Sequence, residues 1–299
     1  MISVQGLRKE FDGFPVLKGL DMEVKTGEIY GFIGQNGVGK TTTMSILAGL
    51  SRPTRGTCVV RGKDVSKNTH PGDLGIGYLP EDPKFYPWMS ARETLLYLSD
   101  AQNKGRVQEI LRWTGLADAS ERRVCGFSRG MKQRLGIGVA LIRDPDLFIL
   151  DEPSSALDPR GRNEVLCLIK DLQKMGKTIL LSTHILDDIE RICDTVGMID
   201  DGRMVFEKPL AQLQREYRQL SLQITSIMDI SAAAIEKLSR LTGVRSVTKA
   251  EGSLTLGVSD KTVSLAVMAL LVEHGVAVES FTWSKTRLED LFLREVRDR

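Results

Sequence analysis

Nine consecutive residues, Gly34-Gln35-Asn36-Gly37-Val38-Gly39-Lys40-Thr41-Thr42, carry the first chemistry in the chain. They fit the pattern G-x-x-x-x-G-K-[ST] and stand between a strand-like run, Glu28–Ile33, and a helical one, Thr41–Leu50. Glycine lets backbone N–H groups turn inward around phosphate oxygens without a Cβ in the way. A helix that starts near Lys40 adds its positive N-terminal end. The Lys40 ammonium can reach β- and γ-phosphates, and the Thr41 hydroxyl can ligate Mg²⁺. With Gly at ~7% of residues the bare pattern arises by accident in roughly one chain in a hundred of this length. The strand–loop–helix setting lowers that further, so the loop reads as a nucleotide-phosphate site. Leu147-Phe148-Ile149-Leu150-Asp151-Glu152 supplies the acids. Four apolar residues make a strand buried on both faces, and its C-terminal end sets Asp151 beside the phosphate loop. Asp151 would hold Mg²⁺ through water, and Glu152 could polarise the attacking water as general base. Alone, such a run is the ordinary end of a strand; the phosphate loop gives it chemistry.

Between these motifs stands Phe127-Ser128-Arg129-Gly130-Met131-Lys132-Gln133-Arg134, followed by a helical pattern. After them come Ser155-Ala156-Leu157-Asp158 and a lone His184 behind a buried strand. In this order, residues 2–210 resemble the nucleotide-binding domain of an ATP-binding cassette (ABC) protein. The resemblance implies ATP and Mg²⁺ as cofactors and a homodimer or pseudo-dimer that sandwiches two nucleotides. Each ATP would lie between one subunit's phosphate loop, Gly34 to Thr42, and the other's serine–glycine signature. It assigns Ser128 and Gly130 to the γ-phosphate across that interface, and Asp158 to communication between the two sites. His184 would bond the γ-phosphate and hold the water near Glu152, although a lone histidine after a strand is ordinarily structural. Phe11 would stack on adenine, with Phe14 as the competing ring. Arg8, Arg122, Arg123 and Lys132 read most simply as solvated charges.

The chain departs from the family pattern in two motifs. The signature usually reads L-S-G-G-Q, and here Arg129 and Met131 replace the first glycine and the glutamine. Ser128 and Gly130 survive, so the phosphate contact remains chemically open. The loop after Ile76-Gly77-Tyr78-Leu79-Pro80 carries Glu81 where the family usually has Gln. Its carboxylate can reach Mg²⁺ or its water, while adding negative charge near the γ-phosphate. Both changes resemble a branch whose partners are separate exporter-type membrane subunits. Thr286-Arg287-Leu288-Glu289-Asp290-Leu291-Phe292-Leu293 resembles the ending of that branch's accessory domain.

The elements that must position these residues alternate strand and helix over the first 210 residues, the pattern of a mainly parallel, helix-covered sheet. Strands are expected at Ile2–Leu7, Val16–Val24, residues 57–61, Thr178–Leu181 and Val196–Ile199, the last opening a hairpin over Asp201-Gly202. Prolines 80, 83 and 87 interrupt regular structure, and Ser90 to Leu116 reads as helix. With the resemblance, this implies an α/β P-loop ATPase core, residues 1–210, with an antiparallel β subdomain and a helical insertion at about 82–135. Residues 211–219 read as a linker or connecting helix. Residues 220–299 alternate βαββαβ with a tail helix over Leu288–Val296, a small ferredoxin-like α+β domain.

The chain has 299 residues, 41% hydrophobic and 27% charged, enough apolar material for two cores. Forty-one basic and 39 acidic side chains leave +2, which gives no general pull toward nucleic acid or anionic lipid. Cys58, Cys125, Cys167 and Cys193 lack C-x-x-C spacing and read as reduced, mostly buried residues; with three scattered histidines, no metal other than Mg²⁺ is expected. The residues 1–20 carry no apolar signal core, and no stretch approaches the ~20 residues of a membrane span. The expectation is a cytoplasmic ATPase, peripheral on the membrane's cytoplasmic face, that hydrolyses ATP to drive a separate permease, with export favoured. The rival is a soluble cassette ATPase acting on ribosomes or nucleic acid. Phe85-Tyr86-Pro87-Trp88-Met89 is either buried in its own fold or a groove for a permease helix.

Overall fold

The computed structural model describes residues 1–67, 71–100, 104–216, 220–250 and 253–285. It divides into two compact units, Met1–Ala211 and Gln212 onward. The first opens with an antiparallel hairpin of β1 (Ile2–Phe11) and β2 (Phe14–Val24). In β1 Ile2, Val4 and Leu7 are buried while Ser3 and Gln5 face water, the alternation of a strand with one wet face. Then follow β3 (Ile29–Ile33), α1 (Lys40–Leu47), β4 (Arg55–Val60), β5 (Lys63–Asp64) and β6 (Ile76–Leu79). Strands β2-β1-β4-β5 form one sheet. Helices α2 (Ala91–Leu98), α3 (Val107–Trp113) and α4 (Arg129–Leu141) lead to β7 (Leu147–Leu150), α5 (Pro159–Lys174) and β8 (Thr178–Thr183). Helix α6 (Leu186–Ile192) precedes the hairpin of β9 (Thr195–Asp200) and β10 (Arg203–Pro209), and α7 (Leu210–Glu216) follows.

The second sheet has the order β10-β9-β3-β8-β7-β6, parallel except for the β9–β10 hairpin. Every residue of β3, β7 and β8 is buried, because helices or the antiparallel sheet cover both faces. One core joins Leu17, Leu20 and Val60 of the antiparallel sheet to Phe32, Ile149 and Leu180 of the parallel one, with Met44 and Leu47 of α1 between them. That arrangement seats the start of α1 over the C-terminal ends of β3, β7 and β8, where α/β folds place their ligands.

Two helix expectations change. The helical pattern over Ser90–Leu116 breaks after Leu98. Ser99 turns extended, and its hydroxyl bonds the Leu96 carbonyl at 2.8 Å, the local competition by which serine ends helices. The start of α2 is fixed by a capping box, with Glu93 N donating to Ser90 Oγ at 3.1 Å and Ser90 N to Glu93 Oε2 at 2.7 Å. Helix α1 also stops before Leu50, whose N–H bonds back to the Ser45 carbonyl at 2.9 Å. The four free cysteines divide evenly rather than mostly inward: Cys58 and Cys193 are buried, Cys125 and Cys167 exposed.

The second unit runs β11 (Leu220–Ser226), α8 (Ala232–Arg240), β12 (Val244–Ala250), β13 (Ser253–Val258), α9 (Val263–Glu273) and β14 (Val278–Lys285). Its sheet order β12-β13-β11-β14, antiparallel throughout, is the ferredoxin-like arrangement. Leu222, Ile224, Leu254 and Leu256 meet Leu238, Val267 and Leu271 in its own core. The expected tail helix and the motif at 286–293 lie outside the described residues. No described helix is long and apolar enough to cross a membrane.

Candidate active site

The loop between β3 and α1 can exist only with glycine at its ends. A Cβ on Gly34 would stand 2.6 Å from the Ile199 carbonyl oxygen, and one on Gly39 2.6 Å from Leu17 Cδ2. Gly39 also takes φ +112°, a conformation that L side chains rarely adopt. The chain is thus pressed against β9 and β2 while α1 begins at Lys40. The Lys40 ammonium is buried and donates to the Gly34 and Gln35 carbonyls at 2.8 and 3.0 Å. Its third neighbour is Glu152, with Nζ 3.3 Å from Oε1.

Glu152 reaches that position through a sharp turn at the end of β7. The Asp151 N–H donates to the Leu79 carbonyl at 2.8 Å, and Glu152 takes φ +47°. Ser182, fully buried on β8, ties both acids: its hydroxyl donates to Asp151 Oδ1 at 2.5 Å and accepts from Glu152 N at 2.9 Å. Glu152 Oε2 lies 2.9 Å from His184 Nδ1, just beyond β8. A carboxylate only 4% exposed therefore sits between an ammonium and an imidazole, the compensation that a buried charge requires. On β6, Tyr78 is held neutral above the usual phenol range, first by burial and then by the charge of Asp151.

Lys40, Glu152 and His184 share one cavity of about 380 Å³. Asn36, Gly37, Gly39, Lys40, Thr41 and Thr42 form one wall, faced by Glu81, Glu152, Ser155 and His184. Asp151 stands behind that wall, 1% exposed. Gly34, Gln35 and Val38 of the phosphate loop do not line it, nor do Phe11, Ser128, Gly130 and Asp158. Phe11 pairs with Phe14 across the hairpin turn, with the Lys9 ammonium 4.6 Å from its ring centroid, and both rings are exposed. Ser128 caps α4 by accepting from Met131 N at 3.2 Å, and Asp158 caps α5 by accepting from Gly161 N at 3.1 Å.

Sequence reasoning missed Ser182 and the buried amide of Gln133 on α4, which donates to the Glu81 carbonyl at 2.8 Å. Gln133 stands inside the signature run between Lys132 and Arg134, and nothing in residue type or spacing marks it as buried. In the run after Glu81, Tyr86, Pro87 and Trp88 are exposed while Phe85 and Met89 are half-buried. Tyr97 of α2, also exposed, joins them, with ring centroids 5.1 Å apart for Tyr86–Trp88 and 5.8 Å for Tyr86–Tyr97.

Residues 17–155 match the family model described as ABC transporter, and residues 209–296 that of the ATP-binding protein DrrA1-3-like C-terminal domain. The chain is 34% identical to the uncharacterized ABC transporter ATP-binding protein YxlF of Bacillus subtilis (strain 168), over 99% of both chains. It belongs to the ABC transporter ATP-binding proteins. Another member of this family, the bacitracin transport ATP-binding protein BcrA of Bacillus licheniformis, is 35% identical over 98% of this chain and 96% of its own. The linearmycin resistance ATP-binding protein LnrL of Bacillus subtilis (strain 168) is 32% identical over the whole of both. A solved ATP-binding subunit of an ABC transporter superposes with a TM-score of 0.65 at 31% identity, covering 73% of this chain and 93% of that one. The ABC ATPase core is thus the fold, ATP its substrate and ATP hydrolysis its reaction. The ribosome or nucleic-acid reading is not favoured by relatives named for transport.

Proposed function

We propose that this ABC ATPase hydrolyses Mg²⁺-ATP between two cassettes to power export through a separate membrane permease. The observation that carries the reading is Glu152, held between Lys40 and His184 on the wall of the phosphate-loop cavity. ATP seated on the loop would draw the Lys40 ammonium to its β- and γ-phosphates. Glu152 would then take a proton from the attacking water, with His184 orienting that water against the γ-phosphate. Phosphorus–oxygen cleavage would leave ADP and inorganic phosphate, and the proton would pass to solvent through the half-exposed imidazole.

The donors near the loop suit Mg²⁺. Thr41, Glu81 and Asp151 offer only oxygen, and Ser182 orients one Asp151 oxygen. Among the described residues no three His, Cys, Asp or Glu side chains cluster to hold a metal, so phosphate oxygens and water would complete its shell. When bound, the ion would withdraw charge from the phosphates.

Ser128 and Gly130 of one copy would face the phosphate loop of the other. A related cassette, 23% identical, is described as a dimer bound to ADP and Pi in a post-hydrolysis state. Export is supported by relatives that match the second unit as well as the first, including a Nod factor export protein, 32% identical over 100% of this chain. The exposed Tyr86–Trp88–Tyr97 cluster, on the loop that carries Glu81 and on α2 beyond it, would dock a permease helix on the cytoplasmic face. The test is Glu152→Gln, which keeps the side-chain shape and removes the base. Hydrolysis should fall about 10²- to 10⁴-fold while ATP produces a stable dimer on gel filtration. Wild-type turnover, or a monomer with ATP and Mg²⁺, would refute the assignment.

A further inference from the structure

Residues 152–156 follow a backbone path that needs outside support. Glu152 and Ala156 both take positive φ, +47° and +51°, a region in which non-glycine residues persist only when their surroundings over-determine them. Ser182 holds one end of the turn through the Glu152 N–H. Ser154 holds its middle. This residue is 2% exposed, and its hydroxyl donates to Asp188 Oδ2 at 2.5 Å.

Asp188 is 1% exposed, and its other oxygen, Oδ1, accepts from Arg162 Nε at 2.6 Å. One buried carboxylate therefore joins three separate stretches of chain. Ser154 follows Glu152 on the turn after β7. Arg162 lies in the first turns of α5, whose cap is Asp158. Asp188 lies in α6, the helix that follows His184. Burying an ionised group is costly, and an apolar residue of similar size would fill the space at less cost. Both Asp188 oxygens are directed at groups whose neighbours in sequence belong to the proposed hydrolytic site.

We propose that Asp188 is a positioning residue for ATP hydrolysis. It fastens the Glu152 turn and the Asp158 end of α5 to the helix behind His184, and so fixes the 2.9 Å contact between Glu152 Oε2 and His184 Nδ1. This inference rests on the hydrolytic reading of Glu152 and His184. The same brace gives Asp158 a mechanical route to the base: displacement of α5 is passed through Arg162 and Asp188 to Ser154.

The experiment compares Asp188→Asn, Ser154→Ala and their double variant in the full chain. Steady-state ATPase, fluorescent-nucleotide titration and the folded fraction by circular dichroism are measured for each. Asp188→Asn should lower kcat per folded molecule by roughly 10- to 100-fold, the scale of a small displacement of catalytic groups. KM and nucleotide affinity should stay within about threefold, because the phosphate loop is untouched. Ser154→Ala should lower kcat by about three- to tenfold, and the double variant should be no worse than Asp188→Asn, since both changes cut one path. Unchanged kcat per folded molecule, or kcat and affinity falling together with the folded fraction, overturns the proposal. If Asp188→Asn does not fold, Ser154→Ala carries the same test. Glu152→Gln in the same series separates the failures. If it turns over normally, the hydrolytic reading is wrong; if it is inactive while the Asp188 and Ser154 variants are normal, only the positioning role is wrong.

Discussion

Ser182→Ala should damage both the stability of the first unit and its turnover. The hydroxyl is fully buried, donates to Asp151 Oδ1 at 2.5 Å and accepts from Glu152 N at 2.9 Å. Alanine removes a hydrogen bond to a charged group, about 1.5–3 kcal/mol, and leaves a buried N–H without an acceptor, about 1–3 kcal/mol. Relaxation of the turn recovers part of this, so a net loss of about 2–4 kcal/mol is expected. For a unit of this size each kcal/mol lowers Tm by roughly 2–4 °C, which predicts a fall of about 5–15 °C. The Glu152 carboxylate then loses its backbone anchor, and kcat should fall about tenfold or more. Affinity for ATP should stay within about threefold, since Lys40 and the loop keep their contacts. Thermal melts of the full chain, followed by circular dichroism and paired with steady-state ATPase, read both effects. A melt within about 2 °C of wild type and unchanged kcat would refute the bridging role of Ser182.

Trp88→Ala should leave ATP binding by the isolated chain intact and weaken co-purification with a co-expressed permease; normal assembly, or unfolding, would count against docking there. Removing residues 212–299 should leave a folded chain that binds ATP, because the loop and its sheet close before that point; a soluble, folded truncation unable to bind would show a shared core. Glu207→Gln should stabilise the chain increasingly as pH rises. Partial desolvation raises the carboxyl of Glu207, an exposed residue of β10, above its usual range, with the charges of Glu23 and Glu28 adding to the effect. A raised acid stabilises fully below its unfolded pKa and loses that contribution as pH climbs through the folded one. The variant's Tm should therefore exceed wild type at pH 8 and converge on it near pH 4; a constant gap would contradict the shift.

The sequence revealed most where residue type and spacing act together. Gly34 to Thr42 could be read because glycine, lysine and threonine each meet a different demand of phosphate, and Leu147–Leu150 with its two acids because the phosphate loop gives an otherwise ordinary strand end its chemistry. The βαββαβ order of the second unit followed from alternating strand and helix periods. Other features depend on neighbours far along the chain. A serine at the end of a buried strand looks the same whether or not it bridges two acids, so Ser182 was silent. Cys125 and Cys167 were indistinguishable from buried thiols until their elements turned them outward. The break after Leu98 came from one serine bonding its own helix, an effect too local for periodicity to register.

The uneven burial of the cysteines makes the protein ready for site-directed spectroscopy without engineering. Burial pushes the Cys58 thiol up to about 12 and that of Cys193 higher than usual, so neither offers a thiolate to a maleimide at neutral pH. Cys125 and Cys167 are exposed and take the label instead. Cys125 stands just before Ser128, and its N–H bonds the Pro87 carbonyl at 3.2 Å, between the signature and the aromatic cluster. Cys167 rides on α5, whose cap is Asp158. A donor–acceptor pair on these two native thiols would report nucleotide-dependent distance changes between the helical insertion and the core.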